Sequence, residues 1–340
     1  MKKIIYIFLF LVNILTFGQK TPEDFGFRHI VYKYRTDNVD ILIKSKSGDE
    51  EVQKPIFFFS PGSLPQPLIK YFDNNGHDGV FPFNPDILTD KYHLVIVNKP
   101  YIPVIADVST LSPNFMYVDS TGRPPKEYLD RNLLSYYTKR NIAILKYLLK
   151  QKWVSKTQLV VAGHSEGSSI GAKMATEYKK ITHLIFSGGN PMGKIMDMIG
   201  GQREIEADTD NERFGNAVIK FWEEIVENKS SIVAARPQGD TYKNLFEFSY
   251  PPPIRHLEKL KIPVLVSYGT KDVGAPFNDF LHVEMIRQKK RNFTFKAYIG
   301  TEHNYFPLTE DNQPNYDIYN WNKVAYDWLE WLMKINNNSK

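Results

Sequence analysis

The chain has 340 residues, 42% of them apolar and 24% charged, enough to build one large α/β domain or two smaller ones. Its net charge of +5 is only mildly basic, and no Lys/Arg stripe interleaved with aromatics runs along it, so nucleic-acid binding has no electrostatic footprint. It contains no cysteine, which rules out disulfides, thiolate metal sites and a cysteine nucleophile.

The N-terminus reads as a secretory signal peptide over residues 1–18. Met1-Lys2-Lys3 is a basic start, residues 4–17 are apolar except for Asn13 and Thr16, and the small residues Thr16 and Gly18 precede Gln19. The apolar run is short for a membrane span; an uncleaved anchor is the alternative. The expectation is an exported protein, periplasmic or extracellular. Its domain, residues 19–340, carries no stable membrane span and depends on its core rather than on disulfides.

In chain order, residues 29–34 and 39–43 read as strands joined by a Thr36-Asp37-Asn38 turn, an antiparallel hairpin at a sheet edge. Residues 55–59 and 93–97 read as buried strands. Leu133, Leu134, Tyr137, Ile144, Leu145, Leu148 and Leu149 then recur at helical spacing. Residues 159–162 are a further short apolar run, and they lead into Gly163-His164-Ser165-Glu166-Gly167 and a small-residue stretch compatible with a helix. That is the pattern of a sharp strand-to-helix turn presenting a serine hydroxyl, with Gly163 and Gly167 allowing the close approach of strand and helix. Gly171, one turn further on, lets that helix pack tightly.

Residues 181–186 read as the sixth strand. From Gly189 to Pro253 the strand signal disappears. Residues 192–198 and 214–226 look helical, and Glu204, Glu206, Asp208, Asp210 and Glu212 form an acidic connection. An insertion of this length, about 190–252, reads as a helical cap over the strand C-terminal ends, where open α/β sheets bind ligands. Residues 264–268 and 293–299 are the last two strands. Trp321, Val324, Ala325, Trp328, Leu329 and Leu332 form one face of a closing helix.

A serine hydroxyl needs a base, and the base needs an orienting acid. In the strand-turn-helix arrangement the chain order is serine, acid, histidine. Gly269-Thr270-Lys271-Asp272 follows one strand and Gly300-Thr301-Glu302-His303 follows the next, so Asp272 and His303 are the candidates beside Ser165. His256 precedes the acid, and His282 falls in an expected helix. His164 is expected to point away from Ser165, and the Glu302 side chain to diverge from the imidazole. After the sixth strand the sequence reads Ser187-Gly188-Gly189-Asn190, with no carboxylate, which strengthens Asp272. The backbone N–H groups of Glu166 and Ser63 are the candidate oxyanion donors. Leu64 is second choice for the latter, and Pro61 and Pro65 have no N–H to give.

On those three motifs the chain resembles the α/β-hydrolase superfamily over roughly residues 29–335. The resemblance implies an α/β fold with a mostly parallel eight-stranded sheet, helices on both faces and a serine nucleophile. The loop Ser60-Pro61-Gly62-Ser63 departs from it by lacking the His-Gly pair common in the superfamily. Esterases, lipases, thioesterases, peptidases and acyltransferases share this fold, so the motifs do not choose among substrates. The expectation is a small-molecule acyl substrate, a carboxylic ester first, with no metal and no organic cofactor. A peptidase or thioesterase of the same fold is the alternative, followed by a non-catalytic binding protein.

Overall fold

Eight strands hydrogen-bond into one sheet: β1 (Arg28–Tyr34), β2 (Asp37–Lys44), β3 (Lys54–Ser60), β4 (His93–Val97), β5 (Val154–His164), β6 (His183–Ser187), β7 (Val264–Gly269) and β8 (Phe293–Tyr298). Their order across the sheet is β1-β2-β4-β3-β5-β6-β7-β8. β2 runs antiparallel to both β1 and β4, and every other pairing is parallel. The computed structural model describes residues 20–72, 76–206, 214–236 and 239–338. The signal peptide expected over residues 1–18, and Asp208, Asp210 and Glu212 of the acidic connection, lie outside the described residues.

The strands are apolar at successive positions because both sheet faces are covered. Ile56 and Phe58 of β3 pack into one core, while Phe57 and Phe59 pack into a second core on the opposite face. Val161 and its neighbours Val160 and Ala162 divide in the same way on β5. Helices α1 (Leu134–Leu148) and α2 (Glu166–Glu177) contribute to the first core. Between β6 and β7 come α3 (Lys194–Glu206), α4 (Phe214–Glu227) and α5 (Tyr242–Ser249), which bury Ile195, Ile225 and Leu245 in a small core of their own. We refer to this insertion as the cap. α6 (Ala275–Arg287) returns to the first core through Leu281 and Met285. α7 (Trp321–Asn338) fills the second core with Trp321, Val324, Ala325, Trp328 and Leu332, the face expected from its spacing. The eight strands and the helices on both faces agree with the architecture read from the sequence. No helix among the described residues is long and apolar enough to cross a membrane.

The hairpin turn differs from expectation. Tyr34 pairs directly with Asp37, so the turn is Arg35-Thr36, and Asp37 and Asn38 belong to β2. Asp37 reads as a turn residue but is buried and serves as an anchor. It accepts hydrogen bonds from Arg131 at 2.7 Å, Tyr136 at 2.6 Å and Tyr101 at 3.0 Å. Those donors come from sequence positions some sixty to a hundred residues away, which no local pattern encodes.

Candidate active site

Ser165 is the single residue between β5 and α2. Its backbone sits at φ 57° and ψ −126°, a conformation that side chains other than glycine's disfavour and that persists only where the surroundings enforce it. The enforcement is visible. The Ser165 N–H donates to Ser187 O on neighbouring β6 at 2.9 Å, and its carbonyl accepts from the Ser168 N–H and the Ser168 hydroxyl. The flanking glycines are obligatory by contact. A Cβ on Gly163 would lie 2.0 Å from Gly167 O, and one on Gly167 would lie 2.0 Å from Ser60 O of β3.

Asp272 and His303 follow β7 and β8, and the structure brings them together. His303 Nδ1 donates to Asp272 Oδ2 at 2.8 Å, and Asp272 Oδ1 accepts the Gly274 N–H at 3.0 Å. Burial works against the charged form of Asp272; the His303 hydrogen bond and the Gly274 N–H outweigh it and hold the carboxyl below its ordinary value. Burial likewise opposes a charged His303. The Asp272 hydrogen bond and charge, aided by Asp197 and Glu302, outweigh that and raise the imidazole above its ordinary 6.5.

Backbone contacts lock the two loops to each other. The Lys271 N–H donates to Thr301 O at 2.8 Å, and a Cβ on Gly269 would meet Thr301 O and Glu302 O at 2.3 Å. Two residues past His303, Tyr305 is fully buried, with its hydroxyl on Ser187 Oγ at 2.6 Å and Ser267 O at 3.1 Å. The Glu302 carboxylate turns to the Asn304 and Phe306 N–H groups, diverging from the imidazole as expected. His256 and His282 lie on helices, also as expected. His164 does not leave the site. Its ring lies 5.1 Å from that of His303, centroid to centroid, and both rings line the same cavity. Burial and the neighbouring His303 push the His164 imidazole down to about 3, so it is a neutral neighbour. A hydrogen bond from or to Ser187 Oγ at 3.0 Å sets its ring, a partner that sequence spacing does not reveal.

The loop after β3 runs beside the serine: a Cβ on Gly62 would touch Ser165 Cβ at 3.6 Å. Ser63 lines the cavity with Ser165, and its carbonyl is held by the Tyr128 hydroxyl at 3.1 Å. The Glu166 N–H stands at the first turn of α2, where backbone donors have no intrahelical acceptor. The Glu166 carboxylate is buried and accepts no hydrogen bond from the described residues. Lys99, just past β4, and Lys194, at the start of α3, each approach it to 3.6 Å.

Two cavities meet at Ser165, His303 and Ser63. The larger, about 540 Å³, combines Phe59, Leu68, Phe81, Phe306 and Trp321 with the charged side chains Lys70, Asp78 and Lys99. The smaller, about 410 Å³, lies under the cap and is lined by Asn190, Lys194, Asp197, Met198, Phe248 and Val273. Ser165 Oγ and His303 share both without a hydrogen bond between them, a contact that tightens in the substrate complex. Lys99 follows a strand C-terminal end, as Asp272 and His303 do, and that rule could have flagged it. Asp197, Lys194 and Tyr128 carry no such signal. Among the described residues, no cluster of three or more His, Asp or Glu side chains is arranged to hold a metal ion.

No protein-family model matches the chain, and no curated protein matches it. Solved structures do. Est1E from Butyrivibrio proteoclasticus with ferulic acid bound superposes with a TM-score of 0.53 at 13% identity, covering 90% of this chain and 99% of that one. The 2,6-dihydroxy-pseudo-oxynicotine hydrolase gives 0.52 at 12% identity, with 90% and 67% covered. The acylaminoacyl peptidase of Pyrococcus horikoshii gives 0.50 at 13%, covering 82% of this chain and 37% of the peptidase. This chain therefore spans nearly all of the first structure and little more than a third of the last. At these identities the likeness is one of fold.

Proposed function

We propose that this chain, which has the α/β-hydrolase fold, is a serine hydrolase that cleaves carboxylic esters by acyl transfer through Ser165. The observation that carries the reading is the 2.8 Å hydrogen bond from His303 Nδ1 to Asp272, in a cavity shared with Ser165. Donation from Nδ1 leaves Nε2 as the basic nitrogen. Nε2 takes the Ser165 proton as Oγ attacks the ester carbonyl, and Asp272 stabilises the imidazolium that forms. The Glu166 and Ser63 N–H groups receive the negative charge on the carbonyl oxygen. His303 returns the proton to the leaving alcohol, and water then frees the acid from Ser165. No step calls on a metal or an organic cofactor. An ester is the first substrate class because it makes the least demand on the site. Residues 1–18 serve as the signal peptide in this reading, and the enzyme acts in the periplasm or outside the cell.

The test is covalent labelling of the purified protein with a fluorophosphonate, followed by peptide mass mapping and ester turnover. Label on Ser165, with turnover lost in a folded Ser165→Ala variant, supports the proposal. A folded protein that neither takes the label nor turns over any ester is a binding protein instead.

A further inference from the structure

Among the described residues, the charges around the smaller cavity are matched with one exception. Glu166 lies between Lys99 and Lys194. Lys194 is engaged a second time by Asp240 at 3.4 Å and Asn244 at 3.3 Å, so it has no charge to spare for an anion. Asp272 is held by His303 and the Gly274 N–H. Asp197 has only a neutral partner, the Asn190 side-chain amide at 2.7 Å, and forms no ion pair among the described residues. It is exposed, and it lines the cavity together with Ser165 and His303.

The position is set by packing. α3 seats on the acid loop at Gly200, where a Cβ would fall 2.5 Å from the Val273 side chain. Three residues before Gly200 in the chain, Asp197 reaches over the turn that holds the acid: a Cβ on Gly274 would lie 3.7 Å from both Asp197 Oδ1 and Asp272 Oδ1. An exposed carboxylate without a cation, beside the reacting atoms, is open to a positive charge brought by a ligand.

Resting on the serine-hydrolase reading, we infer that the cavity under the cap receives a positively charged group of the substrate, an ammonium, with Asp197 as its counter-ion. The larger cavity on the other side of Ser165, where Lys70 pairs with Asp78 and Lys99 with Glu166, takes the uncharged part. Crowding by protein, with Asp272 nearby, pushes the Asp197 carboxyl up to about 6. It is thus charged at neutral pH and would release a cation as the medium turns acidic.

Two isosteric ester pairs test this on the full chain. 4-Nitrophenyl 3-aminopropanoate against 4-nitrophenyl butanoate carries the cation on the acyl side. Butyrylcholine against 3,3-dimethylbutyl butanoate carries it on the alcohol side. The quantity read is the ratio of kcat/KM for the cationic and neutral members, so a general loss of activity cancels. Asp197→Asn is expected to lower that ratio about tenfold in one pair, and Asp197→Lys to lower it further. Ratios unchanged by both variants in both pairs overturn the inference while leaving the hydrolase reading intact. Butylammonium binding by calorimetry supplies the converse. If no ester is cleaved but the cation binds the wild type and not Asp197→Asn, the ammonium site stands and the hydrolase reading falls. If no ester is cleaved and the cation does not bind, both fall.

Discussion

Asp272 and His303 lie 31 residues apart in sequence and meet through a single 2.8 Å hydrogen bond at the C-terminal edge of two neighbouring parallel strands. That bond selects the imidazole tautomer. Asp272→Asn keeps the shape but can present its amide to Nδ1 and turn the basic nitrogen away from Ser165. Its kcat is expected to fall by roughly 10⁴ with little change in thermal midpoint. A loss of less than about tenfold would remove Asp272 from its assigned role.

The pH profile follows from the same pair. His303 must be neutral to accept the serine proton, and its pKa is raised above 6.5, chiefly by Asp272 against the opposing effect of burial. The acid limb of kcat/KM for a neutral ester should therefore lie above 6.5, with activity rising as pH rises through it. In a residual-activity profile of Asp272→Asn that limb should move to lower pH. A wild-type limb below 6.5 would contradict the assignment.

The buried histidines are shifted the other way, and stability should register it. Burial lowers His164 to about 3, and His183 and His256 to about 4. Their unfolded forms take up protons below about 6.5, where the folded forms remain neutral. Stability is thus complete above that value and is lost as pH falls toward the folded values. His164 alone is worth on the order of 3 kcal/mol by about pH 4.5. His303 has the opposite sign, its contribution being present below 6.5 and lost as pH rises through its raised value. Urea midpoints across this range should fall on acidification, and less steeply in His256→Gln.

In the proposed mechanism the Ser63 N–H is the second oxyanion donor, and one substitution removes it. Among the described residues the Ser63 N–H has no backbone acceptor, and Ser63→Pro deletes it. The expected cost is ~10²–10³ in kcat for a folded protein. Tyr128→Phe frees the Ser63 carbonyl and should give a smaller loss in the same direction. A Ser63→Pro variant that is folded and fully active would shift the role to Leu64.

Gly167→Ala tests the elbow itself. Its Cβ would need to share space with Ser60 O. The expected loss is about 1–3 kcal/mol of stability or more, together with most of the activity. Gly62→Ala meets Ser165 at ordinary contact distance, so it should fold normally, and any loss it shows will be in turnover.

The strands, the strand-turn-helix at Ser165, and the positions of Asp272 and His303 after neighbouring strands were legible because each follows from local pattern. Both-face burial makes the strands continuous apolar runs, and the chain order after the elbow narrows the search to the ends of β7 and β8. What was not legible depends on contacts between distant segments. Asp37 reads as a turn former until Arg131 and Tyr136 arrive to hold it in a strand. Asp197 falls in a helix whose seat is decided by Gly200 against Val273. His164 is fixed by a serine 23 positions on. In each case the side chain's meaning is set by a neighbour, and no spacing rule names the neighbour.

The cap leaves and re-enters the sheet at one point: the Ile254 N–H donates to Pro191 O at 2.8 Å, and the strands on either side, β6 and β7, are paired neighbours. The two ends of the insertion are thus already fastened together without it. The segment that furnishes Asp197 and Lys194 hangs from the sheet between Pro191 and Ile254, whereas Ser165, Asp272 and His303 stand at the ends of β5, β7 and β8. A new cap would change what the smaller cavity admits and leave the larger one, whose wall it does not build, as it is.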